Sequence, residues 1–168
     1  MPDVVQTGVD GLDSILGGGI VDNATVLISG NPGTGKSLFG INYLYAGVED
    51  HDERGIYISF EENEDDIRMA ADSIGFDRFD EFVDDGEITI YDKRDMLDDG
   101  DFTATMDKLL EEFTDGDYDR LVLDSLTMFQ LFFENEREKR TYLLKFSDIL
   151  KQHGLTSLLI NEQGAVFP

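Results

Sequence analysis

Gly30-Asn31-Pro32-Gly33-Thr34-Gly35-Lys36-Ser37 fits G-x-x-x-x-G-K-[ST], the Walker A phosphate loop. A polyphosphate is held best by many backbone N–H groups converging on it, and glycines at Gly30, Gly33 and Gly35 let the main chain come close. Lys36 is placed to lay its ammonium against the β- and γ-phosphates and Ser37 to offer a hydroxyl to Mg²⁺. A helix opening at Lys36 would point its positive end at the anion. The plainer reading, a glycine-rich turn with a surface lysine, does not account for the flanks. Residues 24–29 form the short apolar run of a buried parallel strand, and after Ser37 a helical pattern sets Phe39, Tyr43 and Ala46 on one side.

Upstream, Leu12, Ile15 and Leu16 give a short helix one apolar face, with Asp10 as its expected cap and Gly17 to Gly19 as its stop. The triple glycine lacks a following lysine and helix, so it reads as a helix end and not as a second phosphate loop. Downstream, residues 55–60 make a second strand. Asn63 is the expected cap of a helix that begins with Glu64, Asp65 and Asp66 and buries Ile67, Ala70, Ala71 and Ile74. A third strand spans 87–91, and Met106, Leu109, Leu110 and Phe113 line a helix at spacings of three and four. The fourth strand, 120–124, is apolar and closes on Asp124. A helix through Tyr142, Phe146 and Ile149 stops at His153-Gly154, and the fifth strand, 156–160, runs into Asn161-Glu162-Gln163. Strands alternating with helices predict one α/β domain over residues 1–168, with a parallel sheet and right-handed crossovers.

Ligands of such a sheet sit beyond the carboxyl ends of its strands, so the polar strand ends are the candidate site residues. Asp124 has the form of a Walker B acid that holds Mg²⁺ through water or by way of Ser37; its bland alternative is a cap for the next helix. Glu61 and Glu62 are candidates to orient and deprotonate an attacking water, against the reading of a solvated strand end. Strand alternation predicts that one of the pair, not both, faces the γ-phosphate. Gln163, or Glu162 or Asn161 before it, is placed to sense the γ-phosphate from strand five, unless these residues simply open a loop. His51 and His153 read as surface or helix-end residues. Met128, Phe129, Leu131, Phe132 and Phe133 are too apolar for one exposed turn and belong to the core or to a subunit contact. Asp92-Lys93-Arg94-Asp95 does not match the guanine-reading N/T-K-x-D pattern, which favours ATP over GTP.

Composition narrows the function classes. The 168 residues are 40% hydrophobic, enough for a single core, but 37 Asp and Glu stand against 13 Lys and Arg, a net charge of -24. The acids are spread through every segment. Near 1 M salt the screening length falls to about 3 Å and self-repulsion largely disappears, so the pattern points to a salt-rich cytosol, with an acidic protein awaiting a basic partner as the alternative. No extended basic patch marks a nucleic-acid surface. The absence of Cys excludes disulfides and Cys-ligated metals. No apolar run spans a bilayer and no signal-peptide pattern opens the chain, so a cytoplasmic location is expected.

Thr7-Gly8-Val9-Asp10-Gly11-Leu12-Asp13, Leu16-Gly17-Gly18-Gly19-Ile20, the loop from Ile28 to Ser37, Phe60-Glu61-Glu62 and Leu121-Val122-Leu123-Asp124-Ser125 together resemble the KaiC and RadA branch of RecA-like ATPases, most closely the archaeal KaiC-like proteins. The resemblance runs the length of the chain. It implies a RecA-like P-loop fold with sheet order 3-2-4-5-1 in the part present. It also implies Glu61-Glu62 as a catalytic pair, ATP and Mg²⁺ as cofactors, and a homo-oligomeric ring or filament with ATP between subunits, in signalling, clock-like regulation or recombination and DNA repair. The family's strands six to eight would follow Pro168, and with them the basic residues that reach a neighbour's γ-phosphate. Without them strand one is expected as a bare apolar edge, in a fragment or in a chain whose edge another chain covers. Two functions follow: an Mg²⁺-dependent ATPase, or a non-hydrolysing nucleotide-binding module whose ATP sets oligomeric state. Autophosphorylation, known in clock-type relatives, would need a hydroxyl near a neighbour's γ-phosphate, and the sequence identifies none.

Overall fold

The computed structural model describes residues 3–31, 33–97, 102–131 and 133–162. In chain order the elements are β1 (Val4–Val5), α1 (Asp10–Ile15), β2 (Ile20–Val21), β3 (Thr25–Gly30), α2 (Lys36–His51), β4 (Gly55–Ser59), α3 (Glu64–Ser73), α4 (Phe79–Asp84), β5 (Ile88–Tyr91), α5 (Lys93–Leu97), α6 (Phe102–Asp115), β6 (Arg120–Asp124), α7 (Leu126–Gln130), α8 (Glu136–Gln152) and β7 (Thr156–Glu162). The main sheet is parallel and runs β3-β7-β6-β4-β5. Numbering its strands by sequence and reading from the far edge gives 3-2-4-5-1, the expected order. The small antiparallel pair Val4↔Val21 and Val5↔Ile20 was not predicted, since two-residue strands carry no period to read.

Every residue of β4 and β6 is buried, as parallel strands covered on both faces require. Tyr57 and Val122 share one core with Ile41, Tyr43 and Leu44 of α2. Their chain neighbours Ile56, Ile58, Leu121 and Leu123 point into a second core with Phe113 of α6 and Phe146 of α8. Phe129 of α7 is fully buried there, 5.9 Å ring to ring from Phe60 and 5.2 Å from Phe133. The apolar turn is therefore mainly core, though Leu131 is 72% exposed; Phe132 lies outside the described residues.

Two helical glycines set how α2 meets the sheet. A Cβ at Gly40 would lie 2.8 Å from Val122 Cγ1, and one at Gly47 2.6 Å from Arg120 Cδ. Only bare backbone permits that approach, which lays α2 across β6 and brings its first turn to the carboxyl end of that strand. Arg120 is itself 1% exposed: it donates to the Tyr43 carbonyl (2.8 Å) and to Glu53 (2.9 Å), and its guanidinium stacks 4.6 Å over the Tyr43 ring.

Local details depart from the expected caps. α1 starts at Asp10 itself; Asp13 takes the anchoring role by accepting from the amide and hydroxyl of Thr7. Asn63 is the N-cap of α3, but its side chain makes no capping bond, and the Glu64 amide donates to Asp92 Oδ2 at 2.9 Å. Ile74 follows the last turn of α3 and stays 39% exposed. His51 ends α2 and His153 caps α8, both exposed, as expected. Among the described residues β3 pairs only with β7, leaving Leu27 55% exposed. Beside that open edge lies an apolar cavity of about 420 Å³ lined chiefly by Leu12, Leu16, Ile20, Val26, Ile28 and Phe39. No helix among the described residues is long and apolar enough to cross a membrane.

Candidate functional site

β3 ends at Gly30, and the chain then turns through left-handed glycines, Gly33 at φ 81° and Gly35 at φ 90°, into α2 at Lys36. A side chain would strain both positions. The first turn of α2 has no acidic residue and no side-chain cap, which leaves its opening amides for an anion. Within the loop, Lys36 Nζ donates to the carbonyls of Gly30 (2.8 Å) and Asn31 (2.7 Å), and Thr34 Oγ1 donates to the Asn31 carbonyl (2.8 Å). The ammonium is thus held over the loop by weak neutral acceptors that a phosphate would outcompete. Pro32, the remaining loop position, lies outside the described residues.

A cavity of about 350 Å³ joins Gly33, Gly35, Lys36 and Ser37 to Glu61, Glu62, Asp124 and Glu162. The sheet register explains the convergence: Gly30 pairs with Glu162 and Ser59 with Asp124, so the ends of β3, β7, β6 and β4 meet on one side. Asp124 is buried, and its Oδ2 accepts from the Ser37 hydroxyl at 2.6 Å and the Tyr57 hydroxyl at 2.7 Å. The cap of α7 is Ser125, which accepts from the Met128 amide, so the bland alternative for Asp124 falls to its neighbour. Ser37 and Asp124 present only oxygen donors, the set Mg²⁺ takes alongside phosphate oxygens and water, and the residues fit that ion.

Both glutamates line the cavity. β4 stops at Ser59, whose hydroxyl accepts from the Glu62 amide at 3.0 Å; past that point the chain bends and alternation no longer applies. Burial, then the carboxylates of Glu162, Asp124 and Glu62, push the Glu61 carboxyl above the usual range, with the Ser125 hydroxyl pulling partly back. Burial, then Asp124 and Asp66, do the same to Glu62. Of the strand-five candidates, Glu162 lines the cavity while Asn161 accepts from the Thr127 hydroxyl, whose oxygen also takes the Glu162 amide; Gln163 lies outside the described residues. Tyr57 was missed in the sequence. Its signal was a polar tip inside an apolar central strand, a group that must find a partner when buried.

A glycine loop between an edge strand and a helix, with a strand-end acid from the middle of the same parallel sheet against its serine, defines a P-loop nucleotide-binding domain of RecA-like type. A family model described as "ATPase: KaiC" matches residues 5–166, and the chain belongs to the KaiC-like ATPases of that superfamily. It is 30% identical over 165 residues to the circadian clock oscillator protein KaiC of Acaryochloris marina, covering 95% of this chain and 31% of that one. Against a UPF0273 protein of Pyrococcus furiosus it is 32% identical over 170 residues, covering 94% and 68%. The crystal structure of a KaiC-like protein from Pyrococcus horikoshii superposes with a TM-score of 0.78 at 32% identity, covering 96% of this chain and 71% of that one. The chain therefore spans about a third of the clock proteins' length and about two thirds of the archaeal relatives'.

Proposed function

We propose that the chain binds ATP with Mg²⁺ in the glycine-loop cavity and hydrolyses it to ADP and phosphate. The observation that carries this reading is the 2.6 Å contact of Ser37 with Asp124 in the same cavity as Lys36 and two glutamates of raised pKa. Lys36 exchanges the Gly30 and Asn31 carbonyls for phosphate oxygens, and the amides that open α2 cradle the polyphosphate. Ser37 and Asp124 would hold Mg²⁺, which would supply positive charge against the phosphates. One of Glu61 and Glu62 orients water and takes its proton. A glutamate whose pKa is raised by burial and like charge is the better base, because it keeps more affinity for the proton it removes.

The test compares ATP turnover of the native chain with Lys36→Ala and with Glu61→Gln and Glu62→Gln. Loss of the base is expected to lower turnover by about 10²–10⁴-fold, and equal background rates in all of them would eliminate the enzyme.

One observation favours a second reading for the chain on its own. Four carboxylates line the cavity and Lys36 is the basic residue among its lining, so the charge developing in hydrolysis is poorly neutralised within one chain. In that reading ATP sits between copies of a homo-oligomer, a ring or filament, and sets assembly in a regulatory role such as clock-like signalling or recombination. Relatives named as clock oscillator proteins support the regulatory setting. Light scattering with and without Mg-ATP separates the readings: nucleotide-dependent growth without turnover selects the second.

A further inference from the structure

Tyr57 lies in the middle of β4, fully buried, with Val122 beside it in register. Its hydroxyl donates to Asp124 Oδ2 at 2.7 Å. A phenylalanine would fill the same space, and a buried hydroxyl is costly unless it is matched. Ser37 donates to that same oxygen, and no hydrogen bond among the described residues reaches Oδ1.

We infer that Tyr57 is the positioning residue of the metal-facing carboxylate, pinning Asp124 through Oδ2 so that Oδ1 serves the ion or its water. The inference rests on the proposed Mg-nucleotide site. Its force comes from convergence: Tyr57 is a buried donor to the carboxylate oxygen that also takes the Ser37 hydroxyl, so it holds Asp124 from within the sheet while the Ser37 oxygen keeps lone pairs for a metal. Tyr57 touches neither phosphate nor metal; it acts through Asp124, as outer partners of metal ligands do.

The experiment measures fluorescent ATP-analogue affinity with Mg²⁺ and with EDTA, and Mn²⁺ affinity by electron paramagnetic resonance at saturating nucleotide. The proteins are the native chain, Tyr57→Phe, Asp124→Asn and the double variant. Tyr57→Phe is expected to weaken metal affinity roughly tenfold or more, to leave EDTA affinity within about twofold, and to add nothing to Asp124→Asn. EDTA binding also reports that the isosteric variant is folded. Metal affinity undiminished in Tyr57→Phe overturns the inference alone. Equal loss with and without metal, or full additivity with Asp124→Asn, assigns Tyr57 to packing and overturns it too. A native chain whose nucleotide affinity ignores Mg²⁺ overturns the site reading together with it.

Discussion

Asp124→Ala and Asp124→Asn separate the structural work of this carboxylate from its metal chemistry. The alanine leaves two hydroxyls without their acceptor. Ser37 lines the open cavity and can turn to water, but Tyr57 is 0% exposed, and an orphaned buried hydroxyl costs about 1–3 kcal/mol. With the small cavity left by the lost side chain, a total near 2–3 kcal/mol is expected. The asparagine keeps an oxygen for both hydroxyls and forfeits only the charge, about 1 kcal/mol or less. With a urea slope of about 2 kcal/mol/M, equilibrium unfolding without nucleotide should place the alanine midpoint roughly 1 M below the native one and the asparagine within about 0.5 M of it. Both variants should lose the Mg²⁺-dependent part of nucleotide affinity. An alanine variant as stable as the native chain would refute the claim that Asp124 holds Tyr57 and Ser37 together.

Glu61→Gln and Glu62→Gln should each raise the melting temperature of the nucleotide-free protein at pH 7. The folded state lifts both pKa values, so the ionised carboxylates oppose folding. That opposition is absent below the unfolded value of about 4.3, grows as pH rises through it and is complete above the raised folded value. Thermal melts at acidic pH should therefore show no gain, and a loss at pH 7 would contradict the assignment. Gly47→Ala forces a Cβ to within 2.6 Å of Arg120, a guanidinium pinned by Tyr43 and Glu53. Overpacking of this kind costs about 1–3 kcal/mol, read as a lower urea midpoint; an unchanged midpoint would mean that Arg120 yields freely. With a net charge of -24, the melting temperature should climb as KCl is added, and a maximum at low salt would remove the halophile expectation.

The loop and the acids at the strand ends were legible because their spacing is local: glycines fix where backbone meets phosphate, and an apolar run fixes where Asp124 emerges. The sheet order followed from the resemblance, and the register then brought Glu61, Glu62 and Asp124 to the loop. Besides the β1–β2 pair, several features of the site and its flanks were not legible. The Tyr57–Asp124 bond joins residues 67 apart, beyond any period. That both Glu61 and Glu62 line the cavity lay beyond the strand pattern, because alternation holds only while the chain is extended, and the Ser59 hydroxyl takes the Glu62 amide just past the end of β4. Asn63 looked like a capping residue, yet Asp92 from another strand end supplies the acceptor for the Glu64 amide. Burial opposes ionisation of Asp92, but hydrogen bonds led by that amide outweigh it and hold its carboxyl below the usual range.

The central claim is that the turn from Gly30 to Ser37 takes a polyphosphate. Titrating a fluorescent adenine nucleotide and Mg²⁺ into the folded protein in concentrated KCl tests it most directly. The account predicts saturable binding that disappears in Lys36→Ala; a native chain that never saturates, or a Lys36→Ala variant that binds as well, would contradict it.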